Sequence, residues 1–275
     1  ISLGLVGSEM CIRDSFESIS GLTTTGATVF TNLEDLPKSI LYYRQQLQWL
    51  GGIGIVVIAV SILPMIGVGG MQIYKAETPG PIKDTKLTPR IAETANALFK
   101  IYVFLTVVCA IAYWVAGMSW FDALSHSFST ISIGGFSTYD ESLGHFDNNA
   151  VLTIASIFMV VSGLNFALHY TAWHARSIKS YISDPEARLF VLVILFGILV
   201  TTYFLYTTAS MPNEEILFVG VFQLISILTT TGFTTTEFHL WPSFLPFFLI
   251  LLSFFGACAG SVSYTHLRAH ETERN

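Results

Sequence analysis

The sequence predicts an all-α membrane protein built from repeated helix, pore-loop, helix units, and two observations predict it. The first is composition: 52% of the 275 residues are hydrophobic and only 12% are charged, about half the roughly 25% that soluble domains carry. Five apolar runs approach the roughly 20 residues that a helix needs to cross a bilayer, namely 47–66, 97–116, 150–170, 189–206 and 243–259. Because five such runs rarely fit one water-soluble core, a soluble helical fold is the weaker interpretation.

The second observation is an internal repeat of three short stretches rich in hydroxyl residues and glycine. They are SISGLTTTGATVF (18–30), FSTISIGGFSTYD (128–140) and SILTTTGFTTTEF (226–238). Aligned on Gly26, Gly135 and Gly232, all three have a serine six positions before the glycine, and hydroxyl residues three before and two after it. Nine positions before each glycine stands a polar residue: Glu17, His126 or Gln223. So many matches in one register indicate a repeated structural unit.

Each repeat joins a short apolar segment to its loop. Segments 120–131 and 214–228 are too short to cross a bilayer at 1.5 Å per helical residue, so we expect re-entrant helices that end at the loops. The predicted organisation is a first pore loop and following helix (16–66), a connector (67–94), a second unit (95–175) and a third unit (186–261). The ends, 1–15 and 262–275, resemble translated adapter sequence and are set aside as non-native flanks.

The composition of the loops predicts an ion-selectivity filter. Non-helical backbone at membrane depth is tolerated only where it is buried in protein or lines a water-filled cavity, and rings of carbonyl oxygens can replace the hydration shell of K⁺. Glycine permits the positive φ that turns carbonyls toward an axis, while threonine hydroxyls add oxygen ligands or brace the loop. The predicted filter residues are Thr23, Thr24, Thr25, Gly26, Ser132, Ile133, Gly134, Gly135, Thr229, Thr230, Thr231 and Gly232. K⁺ is expected at all of them except Thr23, Ser132 and Thr229.

Four further stretches carry a family resemblance. They are QWLGGIGIVVIAVSILP (48–64), MQIYKAETPGPIKDTKLTPRIAET (71–94), GLNFALHY (163–170) and GACAGS (256–261). Together with the loops, they resemble the Trk/Ktr/HKT superfamily of potassium transporters, and within it the TrkH-type subunits. The resemblance implies four units around one pseudo-fourfold pore, of which about two and a half are present in 16–261.

The resemblance also implies a gate and partners. The gate would be a flexible loop that interrupts the second spanning helix of the third unit and opens with Gly256, Ala257, Cys258, Ala259, Gly260 and Ser261. The partners would be a second copy of the subunit, as a homodimer, and a cytosolic TrkA-type nucleotide-binding ring. The sequence contains no glycine-rich nucleotide motif, so no organic cofactor is expected in this chain and K⁺ is its transported ion.

Charge distribution predicts the orientation in the membrane. Seven basic residues fall in two connectors, against two on the filter side, Lys38 and Arg44; the seven are Lys75, Lys83, Lys86, Arg90, Arg176, Lys179 and Arg188. Under the positive-inside rule the connectors face the cytoplasm, so a multi-pass chain in a bacterial inner membrane would open its filter to the periplasm. The net charge of −6 excludes a nucleic-acid binder of the usual basic kind.

Three other functions stay open from the residues. A sodium-permeable relative is disfavoured by Gly26, because in HKT relatives a serine in the first loop resembles the sodium-preferring type. A membrane-embedded hydrolase has only the stretch Ser125-His126-Ser127 in its favour, and adjacent residues on a helix point apart. A non-conducting scaffold that binds a soluble regulator could describe the segment in isolation.

Overall fold

The structure is a computed structural model that describes residues 2–66, 91–208, 213–241 and 244–258, with only the backbone described at 2–9, 53, 55–66, 91–95, 167 and 213–217. Within these ranges the regular structure is helical, which confirms the predicted all-α class. The helices are α1 (Ser2–Leu22), α2 (Lys38–Ile66), α3 (Ile91–Val115), α4 (Trp120–Ile131), α5 (Asn149–Gly163), α6 (Phe166–Ala175), α7 (Lys179–Ser183), α8 (Pro185–Thr208), α9 (Asn213–Leu228) and α10 (Phe244–Ser253).

The described helices include membrane-crossing and shorter elements. Asn96–Val115 within α3, and the whole of α8, are long and apolar enough to cross a membrane. The two short helices α4 and α9 end at the second and third loops, as segments 120–131 and 214–228 predict. The end of α1 occupies the same position before the first loop, and its helix runs without interruption from Ser2 through the predicted flank.

Helix α4 shows why such a short segment forms a helix. Ser119 caps its N-terminus: the side-chain oxygen accepts a hydrogen bond from the Asp122 backbone N–H. The carboxylate of Asp122 lies in the first turn, where it complements the positive end of the helix dipole. Eight of the twelve residues of α4 are buried. The helix packs between α2, α3 and α5.

Three predicted spans differ from the structure. The run 150–170 is not one helix, because α5 and the following helix meet at 96° and Leu164 is extended. The carbonyls freed at this break find donors, since His169 Nε2 donates to Val161 O at 3.0 Å and the Cys258 N–H donates to Gly163 O at 2.9 Å. Helix α2 begins at Lys38 rather than 47, and its added N-terminal part includes Arg44, which binds the loops. Helix α10 ends at Ser253, short of 259, and Gly256 has a φ of 54°.

Two glycines let α2 lie against the loops. A Cβ built on Gly51 would stand 2.0 Å from the carbonyl oxygen of Leu22 at the end of α1. One built on Gly52 would stand 2.7 Å from Ser132 Cβ and 2.7 Å from the Tyr102 hydroxyl oxygen. The backbone of α2 therefore contacts the first and second loops directly, and this contact places the α2 side chains behind the loops.

We expect Gly51→Ala to destabilise the full-length protein that contains this segment. The added methyl meets a backbone oxygen, and overpacking costs about 1–3 kcal/mol when neighbours have to move. Gly54→Ala on the same helix is the matched control, because no described residue lies within 4 Å of its Cβ position. Thermal unfolding in detergent, followed by size exclusion, should show a lower midpoint for Gly51→Ala only. Equal midpoints for the two variants would contradict the packing described here.

Candidate ion-filter site

The three loops share one backbone conformation. Two positions before the loop glycine, a non-glycine residue has a positive φ: 53° at Thr24, 55° at Ile133 and 63° at Thr230. The loop glycines have φ values of 74° at Gly26, 78° at Gly135 and 85° at Gly232. The residue between them has no positive φ in any loop. Alternating handedness along an extended stretch turns successive carbonyl groups toward the same side, which is the geometry that a carbonyl-lined filter needs.

Each loop begins with the same hydrogen bonds at the end of its helix. The residue just before the loop glycine donates its N–H, at 2.9 Å, to the carbonyl of the serine six positions before that glycine. The pairs are Thr25 to Ser20, Gly134 to Ser129 and Thr231 to Ser226. The preceding N–H donates three residues back, at 3.1, 3.2 and 3.0 Å. A left-handed residue with this bonding pattern is a Schellman-type helix end. It satisfies carbonyls of the short helix and starts the loop away from the helix axis.

Hydroxyl groups in the first and third loops brace the backbone. Ser20 Oγ donates to Ala27 O at 2.6 Å, and Ser226 Oγ donates to Phe233 O at 2.7 Å. Thr23 Oγ1 lies 2.8 Å from Thr25 Oγ1 and also donates to the carbonyl of Ile19. Thr229 and Thr231 repeat the hydroxyl contact at 2.8 Å. Of the two roles that the sequence leaves open for these hydroxyls, bracing has the observed contacts.

The loops meet in a fixed order. A Cβ on Gly26 would stand 2.1 Å from Gly134 O, and one on Gly135 would stand 1.9 Å from Thr231 O. The glycine of each loop thus lies against the carbonyl that precedes the glycine of the next loop. A Cβ on Gly232 would have nothing within 4 Å in the described part of the chain. The arrangement brings together the sequence-predicted residues of all three loops and leaves the third loop open on one side.

In the first two loops, the polar residue nine positions before the glycine binds the hydroxyl two positions after it. Thr28 Oγ1 donates to Glu17 Oε1 at 2.8 Å, and His126 Nε2 lies 3.0 Å from Ser137 Oγ. Both pairs join the position nine before the glycine to the hydroxyl two after it. Gln223, in the third loop, is buried, and its amide has no partner among the described residues. The aligned repeats identify the position nine before the glycine and the position two after it, although the sequence does not show that their side chains bind each other.

A buried ion pair joins the first loop to the second. Arg44 Nη2 on α2 lies 2.6 Å from Glu17 Oε1, and both side chains are only 3% exposed. Arg44 also donates to Thr28 Oγ1 and, through Nη1, to Ser137 O at 3.1 Å. Its guanidinium stands 4.4 Å from the centre of the Phe136 ring. Sequence analysis counts Arg44 only as a charge on the filter side; its place beside an apolar run was the signal that it needs a buried partner.

Asp122 forms a second polar centre, beside the second loop. Its carboxylate accepts from Thr138 Oγ1 at 3.0 Å and from the Tyr139 hydroxyl at 3.2 Å, while Ser119 Oγ donates at 2.7 Å. Burial and the neighbouring Asp122 raise the pKa of Tyr139, so its hydroxyl stays protonated and can donate. These contacts fix the segment that follows the second filter stretch.

The serine that His126 contacts is Ser137 of the second loop rather than Ser125 or Ser127, and both His126 and Ser137 are buried. His126 Nδ1 donates to the backbone carbonyl of Asp122, and Nε2 faces Ser137. Ser127 Oγ donates to Leu124 O, and Ser125 Oγ has no partner among the described residues. His126 therefore supports the loop, as Glu17 does in the first one.

The predicted gate is described only in part. Ala257 and Cys258 are buried, and the Cys258 N–H donates to Gly163 O at the break between α5 and α6. A Cβ on Gly163 would lie 3.6 Å from that of Ala257. The stretches GACAGS and GLNFALHY therefore meet in space. Ala259, Gly260 and Ser261 lie outside the described residues, as do the connector residues 67–90 and the flank 262–275.

Comparison with known proteins gives one consistent family. The family model described as TrkH, cation transport protein, matches residues 7–265. The Trk system potassium uptake protein TrkH of Halomonas elongata is 56% identical over 246 residues, which are 90% of this chain and 51% of that protein. Its namesake from Escherichia coli K12 is 53% identical over 258 residues, covering 92% and 53%. The chain spans about half the length of the curated relatives it matches.

A solved structure of the same family is similar to this chain in fold and in sequence. The crystal structure of the potassium transporter TrkH from Vibrio parahaemolyticus superposes with a TM-score of 0.77 at 50% sequence identity. The match covers 90% of this chain and 50% of that one.

Removing one member of the Glu17–Arg44 pair should destabilise the full-length protein strongly. Arg44→Gln leaves a buried carboxylate without its cation, which costs roughly 3–5 kcal/mol, whereas replacing both partners avoids an unpaired charge. We expect the double variant Glu17→Gln/Arg44→Gln to be more stable than the sum of the single variants predicts. A double-mutant cycle on unfolding midpoints measures this coupling. Additive effects would show that the two side chains do not interact.

Proposed function

The chain belongs to the TrkH family of cation transport proteins, and from this premise we propose that the full-length protein takes up potassium ions through a carbonyl-lined filter. The family consists of cation transporters rather than enzymes. The observation that carries the proposal is the meeting of three loops with one alternating backbone conformation. Their ion-facing groups would be neutral backbone oxygens, the ligands that suit a hard monovalent cation.

A fourth loop would complete the filter in the full-length protein. The contacts between loops run in one direction, from each glycine to the next carbonyl, and Gly232 lies at the open end. A further loop of the same kind would place its carbonyl against Gly232 and meet the first loop on its other side. The organisation into units at 16–66, 95–175 and 186–261, and the pseudo-fourfold axis, are parts of this proposal.

Potassium is favoured over sodium as the transported ion. Gly26 stands at the position in the first loop where HKT relatives of the sodium-preferring type have serine. The relatives named above are potassium uptake proteins. A hydrolase is disfavoured, because the hydroxyl that His126 contacts belongs to Ser137, a buried side chain that also accepts the Tyr139 N–H within the loop.

The proposed location is the inner membrane of a bacterium, with the filter mouth toward the periplasm. Helix α3 leads into α4 and its loop, and α8 leads into α9 and its loop. The N-terminal ends of α3 and α8 therefore lie opposite the loops. Arg176, Lys179 and Arg188 belong to the segment around α7 and the start of α8, so positive charge gathers at the end expected in the cytoplasm.

We predict that Gly26→Ser and Gly232→Ser in the full-length protein lower discrimination against sodium. Both glycines have positive φ, which a side chain strains, and at Gly26 the new Cβ would also displace a neighbouring carbonyl. Potassium uptake with competing sodium, in a host deficient in potassium uptake, is the measurement. Gly54→Ser serves as control, since its Cβ position is free of contacts with the residues that the structure describes. An unchanged potassium-to-sodium ratio in both filter variants would count against the filter assignment.

The proposed partners are a second copy of the subunit and a cytosolic TrkA-type nucleotide-binding ring. The support is the basic charge of the connector at 67–94 and of the segment 176–188, both of which the positive-inside rule assigns to the cytoplasm. We propose that these two segments form part of the face on which the ring docks, and that the ring biases the conformation of the gate at Gly256–Ser261.

Charge reversal tests the docking face. We expect Lys83→Glu, Lys86→Glu and Arg90→Glu together to reduce co-purification of the full-length protein with the ring. The reversed, acidic face would repel the surface that the basic face attracts. Lys38→Glu on the filter side is the matched control. Undiminished binding of the triple variant at moderate salt would exclude the connector.

A further inference from the structure

One side chain of α2 makes three hydrogen bonds to the second loop. Gln48 is fully buried, and its Nε2 donates to Gly134 O at 2.7 Å. Its Oε1 accepts from the Phe136 N–H at 3.1 Å and from Ser129 Oγ. The amide thus binds the residue before the loop glycine, the residue after it, and the serine at the end of α4. One donor of the side chain's amide nitrogen and both lone pairs of its oxygen are thus used by Gly134, Phe136 and Ser129.

Gln48 replaces a bond that the other loops make for themselves. In the first and third loops the serine six positions before the glycine donates directly to the carbonyl one position after it. In the second loop Ser129 donates to Gln48 instead. The amide of Gln48 stands between the serine and the loop, so the second loop is held from α2 of the preceding unit.

The same contact explains why the second loop differs in sequence. The position before the loop glycine is threonine in the first and third loops, Thr25 and Thr231, but glycine in the second. A Cβ on Gly134 would stand 2.4 Å from Gln48 Cδ and 2.5 Å from its Oε1. Only glycine leaves room for the amide. The first glycine of the stretch SIGG, where the other loops have the third threonine of TTTG, is therefore explained by the space that the Gln48 amide occupies.

We propose that Gln48 is a positioning residue for ion selection, which sets the direction of the Gly134 carbonyl in the filter. This inference rests on the proposed potassium transport. One lone pair of Gly134 O accepts the Gln48 N–H, which leaves the other available to an ion. The carbonyl group is therefore held from behind. Discrimination between K⁺ and Na⁺ depends on how coordinating carbonyls are held and how many take part, so loss of the bond should change selectivity more than it changes folding.

The neighbouring Gln45 provides a matched control. It is on the same helix and equally buried, yet neither atom of its amide has a partner among the described residues. Gln45→Met and Gln48→Met therefore remove the same chemical group from two buried sites, and only the second loses contacts to the loop. Both variants are made in the full-length protein, reconstituted in liposomes, and tested for potassium uptake against competing sodium.

We expect Gln48→Met to lower the potassium-to-sodium ratio about tenfold, the factor that corresponds to one misplaced hydrogen bond of ordinary net strength. Gln45→Met should keep the parental ratio. A parental ratio in Gln48→Met would overturn the inference while leaving the transport proposal standing. A parent protein that takes up potassium without preferring it over sodium would overturn both.

The variant Gln48→Glu makes the potassium-to-sodium ratio depend on pH if Gln48 acts through its donated hydrogen bond. A side chain that only filled space would give no such dependence. The side chain of the variant keeps its shape, but its ionised form has no hydrogen to donate to Gly134 O, whereas its protonated form has one. We expect the potassium-to-sodium ratio of this variant, relative to the parent, to be higher at about pH 5.5 than at about pH 9, a range that spans documented pKa values of buried Glu. If Gln48→Met fails to fold, a ratio that stays flat over this range in Gln48→Glu overturns the inference.

Discussion

A carbonyl oxygen that coordinates a passing ion in the proposed filter must keep at least one lone pair free of partners within the protein, and this constraint governs the surroundings of the three loops. A buried backbone group without a partner is costly, and at membrane depth no bulk water replaces one. Other polar groups near the loops therefore have to hold the backbone in place. The Schellman-type ends of the short helices, the bracing hydroxyls, and Glu17 and His126 in the first two loops do this.

The loops share a backbone but not a support. The first is held by Ser20 and by the Glu17–Arg44 pair, and the second by Gln48 and Asp122. In the third, Ser226 makes the same bond as Ser20, and Thr234 is bound through its backbone by Ser142 and Gly144 of the loop after the second filter stretch. Two of these supports come from α2, which is why the close packing at Gly51 and Gly52 matters for the loops as well as for the fold.

Much of this arrangement could be predicted from local sequence, and the limits have a physical cause. The register of Gly26, Gly135 and Gly232, the short helices and the all-α class depend on residues close together in the chain, so pattern alone reveals them. The Gln48 and Arg44 contacts to the second loop join residues about 90 positions apart, and nothing in either stretch identifies its partner. The break after Gly163 was missed for a similar reason, because its freed carbonyls are satisfied by His169 and Cys258 while its own residues remain as apolar as a continuous span.

The dependence of one loop on Gln48 has an evolutionary consequence. In a channel assembled from identical subunits, any substitution behind the filter appears in every subunit at once, and a glycine such as Gly134 would have to be tolerated all round the axis. Covalent linkage of the units removes that requirement. A glutamine in one helix and a glycine in one loop then form a matched pair that can change without any change in the other loops. In the proposed filter, linkage of the units in one chain would thus allow ion coordination to be adjusted one loop at a time.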